Sequence, residues 1–179
     1  IIAKSISEGK IIGWFQGKME FGPRALGNRS ILGDPRINKN KDKINKIIKF
    51  RESYRPFAPA ILSEYKNKFF DIDKKETVNF MEKVFFIKKN MRSKIPAVSH
   101  IDGSGRLQTV DKKINPKFYK LIKEFKKITS IPILINTSFN LNGEPIVSSP
   151  QDAIRTFNTS GLDILVIGDF IVSKNNEKF

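Results

Sequence analysis

The sequence has no cysteine and a single histidine, His100. A chain without cysteine forms neither a disulfide nor a thiolate metal site, and one histidine falls short of the ligand set of a zinc site. No apolar run approaches the roughly 18 residues of a membrane span, and no signal-peptide layout stands at the start. We therefore expect a cytoplasmic chain with no membrane partner and no metal site of its own.

The familiar motifs of hydrolases and nucleotide-binding proteins are also missing. The sequence holds no Ser/His/Asp set, no HExxH pair, no EF-hand loop and no GxxxxGK[ST] phosphate loop. If the chain binds a nucleotide, it therefore uses another mode of binding. No side chain stands out as a nucleophile for covalent catalysis.

Positive charge, in contrast, is abundant: the sequence has 33 lysines and arginines and 18 acidic residues, which gives a net charge of +15. Lysines on solvated surfaces explain part of this excess. The alternative is an anionic partner such as nucleic acid, a nucleotide or another phosphate compound. The arginines favour a partner, because they stand near glycine, proline or aromatic residues and because arginine suits bidentate phosphate contacts. They are Arg24, Arg29, Arg36, Arg51, Arg55 and Arg106.

Apolar periodicity and capping residues predict the helices. The opening residues, IIAKSISEGK, are typical of the last turns of a helix that Gly9 ends, so we expect a piece of a larger protein. Isoleucines at helical spacing predict a helix at 40–49. Asn115 and Ser149 are caps of the kind that begin helices, which we place at 116–129 and 150–159, and a shorter helix is expected at 63–70.

Apolar runs between turn residues predict the strands. They lie at 10–16, 30–32, 84–87 and 132–135, with an edge strand at 57–62. Two hairpins are also expected, one joining 97–101 to 106–110 and one joining 164–167 to 170–172 over a Gly-Asp turn. Together these elements predict a single α/β domain with a mixed, twisted sheet and flanking helices.

Cationic and small polar side chains stand at the predicted strand ends and loops. These candidates are Arg24 after Gly-Pro, Lys49 at a helix end, Arg55 before proline, Arg106 after Gly-Ser-Gly, and Asn136 and Ser138 after a buried strand. Such a set suits phosphoryl or adenylyl transfer, which needs positioning and charge neutralisation more than a protein nucleophile.

Each candidate also has a structural alternative. An arginine can cap carbonyl groups, a lysine can complement a helix dipole, and asparagine and serine can form turns. We interpret His100 as a hydrogen-bonded structural residue, and Phe50, Tyr54 and Phe57 as core aromatics rather than a base-stacking platform. From the residues alone, the chain is an anion-binding α/β domain.

Four long stretches make the sequence more specific. They are GWFQGKMEFGPRALGNRSILGDPR, KDKINKIIKFRESYRPFAPAIL, AVSHIDGSGRLQTV and PILINTSFNLNGEPIVSSPQDAIRTF. These stretches, in this order, closely resemble the C-terminal domain of the carbamoyltransferase family, which includes nodulation-factor and antibiotic O-carbamoyltransferases (the NodU/CmcH type). The resemblance runs from Gly9 to Lys174 and is weakest over 66–94.

The resemblance implies a fold and a reaction. Residues 1–179 would form the YrdC-like domain of a longer polypeptide whose N-terminal ASKHA-type domain, with its own metal, is not in this chain. The YrdC-like domain would combine ATP, expected with Mg²⁺, and carbamoyl phosphate into carbamoyl-adenylate and release pyrophosphate. The N-terminal domain would then pass the carbamoyl group to an acceptor hydroxyl.

The resemblance also implies roles for the candidate residues. By similarity, the catalytic cations would be Arg24, Lys49, Arg55 and Arg106, and the substrate-binding residues would be Asn136 and Ser138. The carboxylates considered for Mg²⁺ are Glu20, Asp34 and Glu144, and none of them forms a convincing pair. Lys18 departs from the family, where arginine is common, and so keeps the charge but loses the bidentate fork.

Two alternative functions stay open at this point. The first is an RNA- or nucleotide-binding YrdC-like module of the kind found in tRNA threonylcarbamoyl-adenylate synthesis, which a net charge of +15 would suit. The second is a non-catalytic domain that completes the pocket of its partner.

Overall fold

A mixed seven-stranded sheet organises the chain, and a two-stranded antiparallel sheet lies beside it in the computed structural model, which describes residues 1–174. The strands are β1 (Ile12–Phe15), β2 (Arg29–Gly33), β3 (Ala58–Leu62), β4 (Val84–Phe86), β5 (Ser104–Arg106), β6 (Gln108–Val110), β7 (Ile133–Ser138), β8 (Ile164–Ile167) and β9 (Phe170–Ser173). The large sheet has the order β6-β3-β7-β2-β1-β8-β9, and β4 pairs with β5. The predicted α/β fold with a mixed sheet is thereby confirmed.

Five of the six helices in the described residues overlap predicted positions. The six are α1 (Ile2–Ser7), α2 (Asn38–Ile47), α3 (Lys66–Phe69), α4 (Lys89–Arg92), α5 (Pro116–Thr129) and α6 (Pro150–Thr159), and α4 was not predicted. The Asn115 side chain accepts a hydrogen bond from the Phe118 backbone N–H at the start of α5. Ser149 and Asp152 form a reciprocal capping box at the start of α6. Local capping chemistry therefore fixed both helix starts where the sequence predicted them.

The core lies between the sheet and these helices. The central strands β1 and β2 are buried along their whole length, as an interior position in the sheet requires. Helix α5 buries one apolar stripe and packs on α1, β3 and β7, while α6 packs on β1 and β8. The ends of β3 and β7 that meet at Ala58 and Asn136 open towards the candidate site.

One predicted edge strand lies inside the sheet. β3 is hydrogen-bonded to β6 on one side and to β7 on the other, so the expectation of an edge position at 57–62 was wrong. Proline is tolerated there because β6 pairs only with Ala60–Leu62. Pro59 therefore lies beyond the end of the β6 ladder, where its missing N–H removes no bond to that strand.

The hairpin predicted at 97–101 and 106–110 does not form. Residues Pro96–Val98 make a 3₁₀ turn, which Pro96 favours at its first position, and the Ala97 N–H donates to the Pro35 carbonyl. The second half of the expected hairpin divides at Leu107 into β5, which pairs with β4, and β6, which pairs with β3. The other predicted hairpin, β8 with β9, is confirmed.

Candidate functional site

Arginines from three separate segments converge on two adjoining cavities. The first cavity, of about 110 Å³, has Asn136 and Ser138 in its wall and is called the asparagine cavity here. The second, of about 300 Å³, has His100 in its wall and is called the histidine cavity. The two cavities share a wall formed by Arg24, Arg51, Pro56, Phe57, Ala58 and Arg106. Arg55 lines the histidine cavity but not the asparagine cavity.

The charge in these cavities is one-sided. No carboxylate is among the residues that line either cavity in the described part of the chain. Burial lowers the pKa of Arg106, and the positive charge of Arg24 lowers it further. Burial likewise lowers the pKa of Arg51; the charge of Arg55 lowers it further, the charge of Glu52 raises it, and the charge of Arg106 lowers it. Glu52 lies outside both linings and pairs with Arg55 at 3.9 Å, but cations that repel one another with no carboxylate in the lining form a site prepared for an anion.

Asn136 contributes an acceptor without a donor. Its side chain is buried, and its Nδ2 donates to the Ala25 carbonyl at 3.1 Å and to Gln108 Oε1 at 2.7 Å. Gln108 Nε2 in turn donates to the Leu26 carbonyl at 2.9 Å, and these two carbonyls fix the orientation of both amides. Asn136 Oδ1 is buried and has no hydrogen-bond partner among the described residues. A buried orphan acceptor is costly, so this atom marks a place for a ligand donor.

Lys49 lies outside both cavities. Its ammonium group is buried against the end of β7 and donates to the Ser138 carbonyl at 2.6 Å, the Asn140 carbonyl at 2.9 Å and Asn140 Oδ1 at 2.6 Å. Burial lowers the pKa of Lys49 to about 7, and the charge of Arg51 acts in the same direction. The structure therefore places this predicted catalytic cation behind Ser138, where it holds the turn that follows β7.

The loop that presents Arg24 is held from within by Glu20. One carboxylate oxygen of Glu20 accepts hydrogen bonds from the backbone N–H groups of Leu26 (2.6 Å), Asn28 (2.8 Å) and Arg29 (3.3 Å). The loop then closes over α5 at Gly27, which has a φ of +109° and whose added Cβ would lie 2.3 Å from the Phe118 ring. Glycine is required there both by the backbone conformation and by the space.

Removing this carboxylate should loosen the loop. We expect Glu20→Ala to lower the free energy of unfolding by about 1–3 kcal/mol, because it leaves backbone donors without their acceptor. Glu20→Gln should lose less, since it keeps an acceptor oxygen. Urea unfolding measures both variants against Glu8→Ala, which removes an exposed carboxylate from α1's end. Equal unfolding midpoints for the two alanine variants would contradict the assigned role.

The remaining conspicuous charges are engaged in structural contacts. Arg29 stacks over the Phe15 ring at 3.5 Å and donates to the carbonyls of Gln16, Gly17 and Asn28. Asp34 is buried in an ion pair with Arg36 at 2.6 Å. Across the described residues, no group of three or more histidine, cysteine or acidic side chains is arranged to hold a metal ion. No helix in residues 1–174 is long and apolar enough to span a bilayer.

Two contributors, Arg51 and Asn45, were not among the site residues predicted from the sequence, although Arg51 was one of the arginines that favoured an anionic partner. Arg51 lines both cavities, lies 4.9 Å over the Phe57 ring, and donates to Asn45 Oδ1 at 2.7 Å. Asn45 is buried in α2 and also donates to the Arg55 carbonyl, so one amide positions both arginines of the 48–57 loop. A buried asparagine on the isoleucine side of a helix was the signal that would have found this connection.

Comparisons with known proteins identify the family. The family model described as carbamoyltransferase C-terminus matches residues 3–174. Nodulation protein NolNO of Sinorhizobium fredii is 52% identical over 96% of this chain and 25% of its own length. The 3′-hydroxymethylcephem-O-carbamoyltransferase of Streptomyces clavuligerus is 34% identical over 94% of this chain and 31% of its own length.

A solved structure supports the fold. Full-length HypF in its phosphate- and nucleotide-bound form matches with a TM-score of 0.61 at 17% identity, over 97% of this chain and 20% of HypF. The chain thus spans about a quarter to a third of the curated relatives named above. The extent of the family match and the level of identity show that this chain belongs to the carbamoyltransferase C-terminus family.

Proposed function

We propose that this chain is the adenylate-forming domain of an ATP-dependent O-carbamoyltransferase. It binds ATP and carbamoyl phosphate and makes carbamoyl-adenylate. One observation supports this assignment most strongly: Arg24, Arg51 and Arg106 belong to the common wall of two cavities that no carboxylate of residues 1–174 lines. One of those cavities is also lined by Asn136, whose buried Oδ1 has no hydrogen-bond partner among the described residues. Two anionic substrates that must react with one another need such a shared cationic wall.

The atoms of this reaction balance in two steps. Water first cleaves carbamoyl phosphate into inorganic phosphate and carbamate. A carbamate oxygen then attacks the α-phosphorus of ATP, the bond to the β-phosphate breaks, and pyrophosphate leaves. Negative charge is concentrated on the phosphate oxygens in both steps, and fixed guanidinium groups stabilise it without needing to transfer a proton.

The two cavities differ in what they can accept. The asparagine cavity, at about 110 Å³, is small for a nucleotide, since ligand pockets of drug-sized molecules begin near roughly 300 Å³. We assign this cavity to the carbamoyl group, because the carbamoyl amine can donate the hydrogen bond that Asn136 Oδ1 does not receive from the described residues. Ser138 lines the same cavity, with its hydroxyl donating to Asn140 Oδ1 at 2.7 Å. The nucleotide then takes the larger histidine cavity.

Among the described residues, the side chains that line the two cavities include no carboxylate that could bind Mg²⁺. Glu20 and Asp34, two of the carboxylates considered from the sequence, are committed to backbone N–H groups and to Arg36. Glu144 is exposed and lines neither cavity. The side chains present therefore do not fit a resident metal site, and Mg²⁺ would arrive bound to the nucleotide.

The final transfer is assigned to the rest of the polypeptide. The relatives are three to four times longer than the part of them that this chain matches, as their covered shares of 25% and 31% indicate. We propose that an N-terminal ASKHA-type domain receives the carbamoyl-adenylate and passes the carbamoyl group to an acceptor hydroxyl. A cytoplasmic location follows from the use of ATP and remains part of the proposal.

The test is pyrophosphate release by the full-length protein. Release should require both ATP and carbamoyl phosphate, and Arg24→Ala should lower it at least tenfold with little effect on stability. Arg24 is exposed and makes no hydrogen bond or ion pair with the described residues. Arg155→Ala on α6, where Arg155 pairs with Asp152 in the same helix, is the matched control.

The same assay separates the alternative functions. Wild-type protein that releases no pyrophosphate, yet binds tRNA with an affinity that falls steeply with salt and is not competed by ATP, would indicate an RNA-binding module instead. Protein that binds neither ATP nor RNA would indicate a structural domain.

A further inference from the structure

His100 stands in the wall of the histidine cavity and is the end of a hydrogen-bonded series. Its Nδ1 lies 3.1 Å from the Ser104 hydroxyl oxygen, and that hydroxyl lies 2.7 Å from Asp102 Oδ1. The Ser104 backbone N–H also donates to Asp102 Oδ1, at 2.9 Å. These hydrogen bonds from Ser104 lower the pKa of Asp102, so its carboxylate is ionised at neutral pH.

This series fixes the position of the imidazole proton. An ionised carboxylate only accepts hydrogen bonds, so the Ser104 hydroxyl proton points to Asp102. The Ser104 oxygen then presents a lone pair to His100 Nδ1, which must carry a proton to bond to it. In the neutral ring, Nε2 is consequently the unprotonated nitrogen. Within residues 1–174, Nε2 has no hydrogen-bond partner.

The unprotonated Nε2 of His100 differs from the other polar groups of this cavity because it accepts a hydrogen bond. The other polar side chains that line it are Arg24, Arg51, Arg55 and Arg106, and guanidinium groups donate hydrogen bonds but accept none. The rest of the side-chain lining, which includes Val84 and Phe57, is apolar. Among the lining side chains, His100 alone offers a lone pair, so it suits a neutral hydroxyl or amine donor close to an anionic group.

We propose that His100 Nε2 accepts a hydrogen bond from a ribose hydroxyl of the bound nucleotide. This inference rests on the proposed function, and it names the group that the histidine cavity recognises. The nucleotide is the better source of the donor, because the carbamoyl amine is satisfied by Asn136 in the asparagine cavity. The arginines of the same wall would bind the phosphates, and the ribose, which is bonded to the α-phosphate, carries hydroxyl groups that can donate to His100 in that wall.

Protonation of His100 should remove this interaction. Burial lowers its pKa, the charge of Asp102 raises it, and the charges of Arg106 and Lys41 lower it. The other charged groups of the same cavity wall are Arg24, Arg51 and Arg55. The ring is therefore neutral at pH 7 and accepts a hydrogen bond. As the pH falls through its pKa, Nε2 gains a proton and no longer accepts one.

The first experiment compares ATP with 2′-deoxy-ATP and 3′-deoxy-ATP in the full-length protein. Wild type should bind ATP about 3- to 10-fold more tightly than one of the deoxy analogues, as one neutral hydrogen bond allows. His100→Ala should lose this preference, and His100→Gln, which keeps an acceptor, should retain it at every pH. Ser104→Ala leaves the ring in place but frees its tautomer, so the preference should be reduced.

The alternative hydrogen-bond donor to His100 is the amine of carbamoyl phosphate, and comparing carbamoyl phosphate with acetyl phosphate tests it. If His100→Ala instead abolishes a preference for carbamoyl phosphate over acetyl phosphate and leaves the ribose preference intact, the proposal is wrong. An unchanged preference in both comparisons, in a variant that melts like wild type, also overturns it.

The second experiment does not require nucleotide binding. Nitrogen-15 spectra of the imidazole, assigned by their loss in His100→Gln, should show a protonated Nδ1 and an unprotonated Nε2 at pH 8. The opposite tautomer would overturn the proposal even if the enzyme makes carbamoyl-adenylate. Failure of wild type to bind ATP, with the expected tautomer present, would instead contradict the proposed function, and with it the assignment of a ribose ligand.

Discussion

Arg106→Gln is expected to lower pyrophosphate release from ATP and carbamoyl phosphate by about 100- to 1,000-fold, the usual effect of removing one preorganised charge from a transition state. Arg106 lies in the wall shared by both cavities, and its side chain makes no hydrogen bond or ion pair with residues 1–174. Its guanidinium is thus free to contact phosphate oxygens of either substrate. Steady-state assays of the full-length protein should show the loss mainly in kcat/KM.

The same substitution should not reduce stability. Burial and the positive charge of Arg24 both disfavour the charged form of Arg106, and glutamine removes that charge. We therefore expect the ligand-free variant to unfold at the same or a higher urea concentration than wild type. Arg155→Gln, which changes an exposed arginine of α6, controls for the loss of one positive charge and should leave activity unchanged. A variant that loses activity by unfolding would contradict this interpretation of Arg106.

Lys49→Met should produce the largest change in stability, a loss of about 3 kcal/mol at pH 9. The Lys49 amine, which a pKa of about 7 leaves neutral at this pH, still donates to oxygens of Ser138 and Asn140, and methionine leaves those acceptors without a donor while filling a similar volume. Urea unfolding measures the loss, and Lys46→Met on the exposed side of α2 is the matched control. Similar midpoints for the two variants would show that Lys49 does not hold the turn after β7.

The pH dependence of stability provides a second test of Lys49. Its pKa is about 7 in the folded chain and lies well above that in the unfolded chain, where the ordinary value is 10.5. Between these two values the unfolded state binds more protons, so the contribution of Lys49 makes the free energy of unfolding rise with pH from 7 to 10.5. That rise should be absent from Lys49→Met and present in Lys46→Met. Parallel pH profiles in all three proteins would contradict the lowered pKa.

Prediction from the sequence succeeded where structure is determined locally. The starts of α5 and α6 depend on Asn115 and Ser149, each within three residues of the group it caps, and both were found. It failed where pairing is decided by distant strands. Residues 97–101 have a strand-like composition, but Pro96 and the carbonyl of Pro35 hold their first part in a 3₁₀ turn. The interior position of β3 likewise depends on β6 and β7, which no local pattern reveals.

The candidate site divides in the same way. Arg24, Arg55, Arg106, Asn136 and Ser138 were chosen for their residue types at loops and strand ends, and all of them line one or both cavities. Their roles in binding and catalysis stay predictions. Lys49 was chosen for its charge, but burial placed it behind the wall, while Arg51 two residues later took the position in both cavities. A sequence shows which cations are near one another in the chain, but not which one the fold turns inward.

The division of one segment at Leu107 has a mechanical consequence. Arg106 belongs to the two-stranded sheet, while Gln108, which fixes the amide of Asn136, belongs to the seven-stranded sheet. A rotation of the small sheet about Leu107 would move Arg106, and with it the Ser104 support of His100, but would leave the Asn136 amide where it is. The arginine in the wall shared by both cavities and the amide of Asn136 are therefore held by adjacent residues of two separate sheets, so the amide can keep its orientation while that arginine moves.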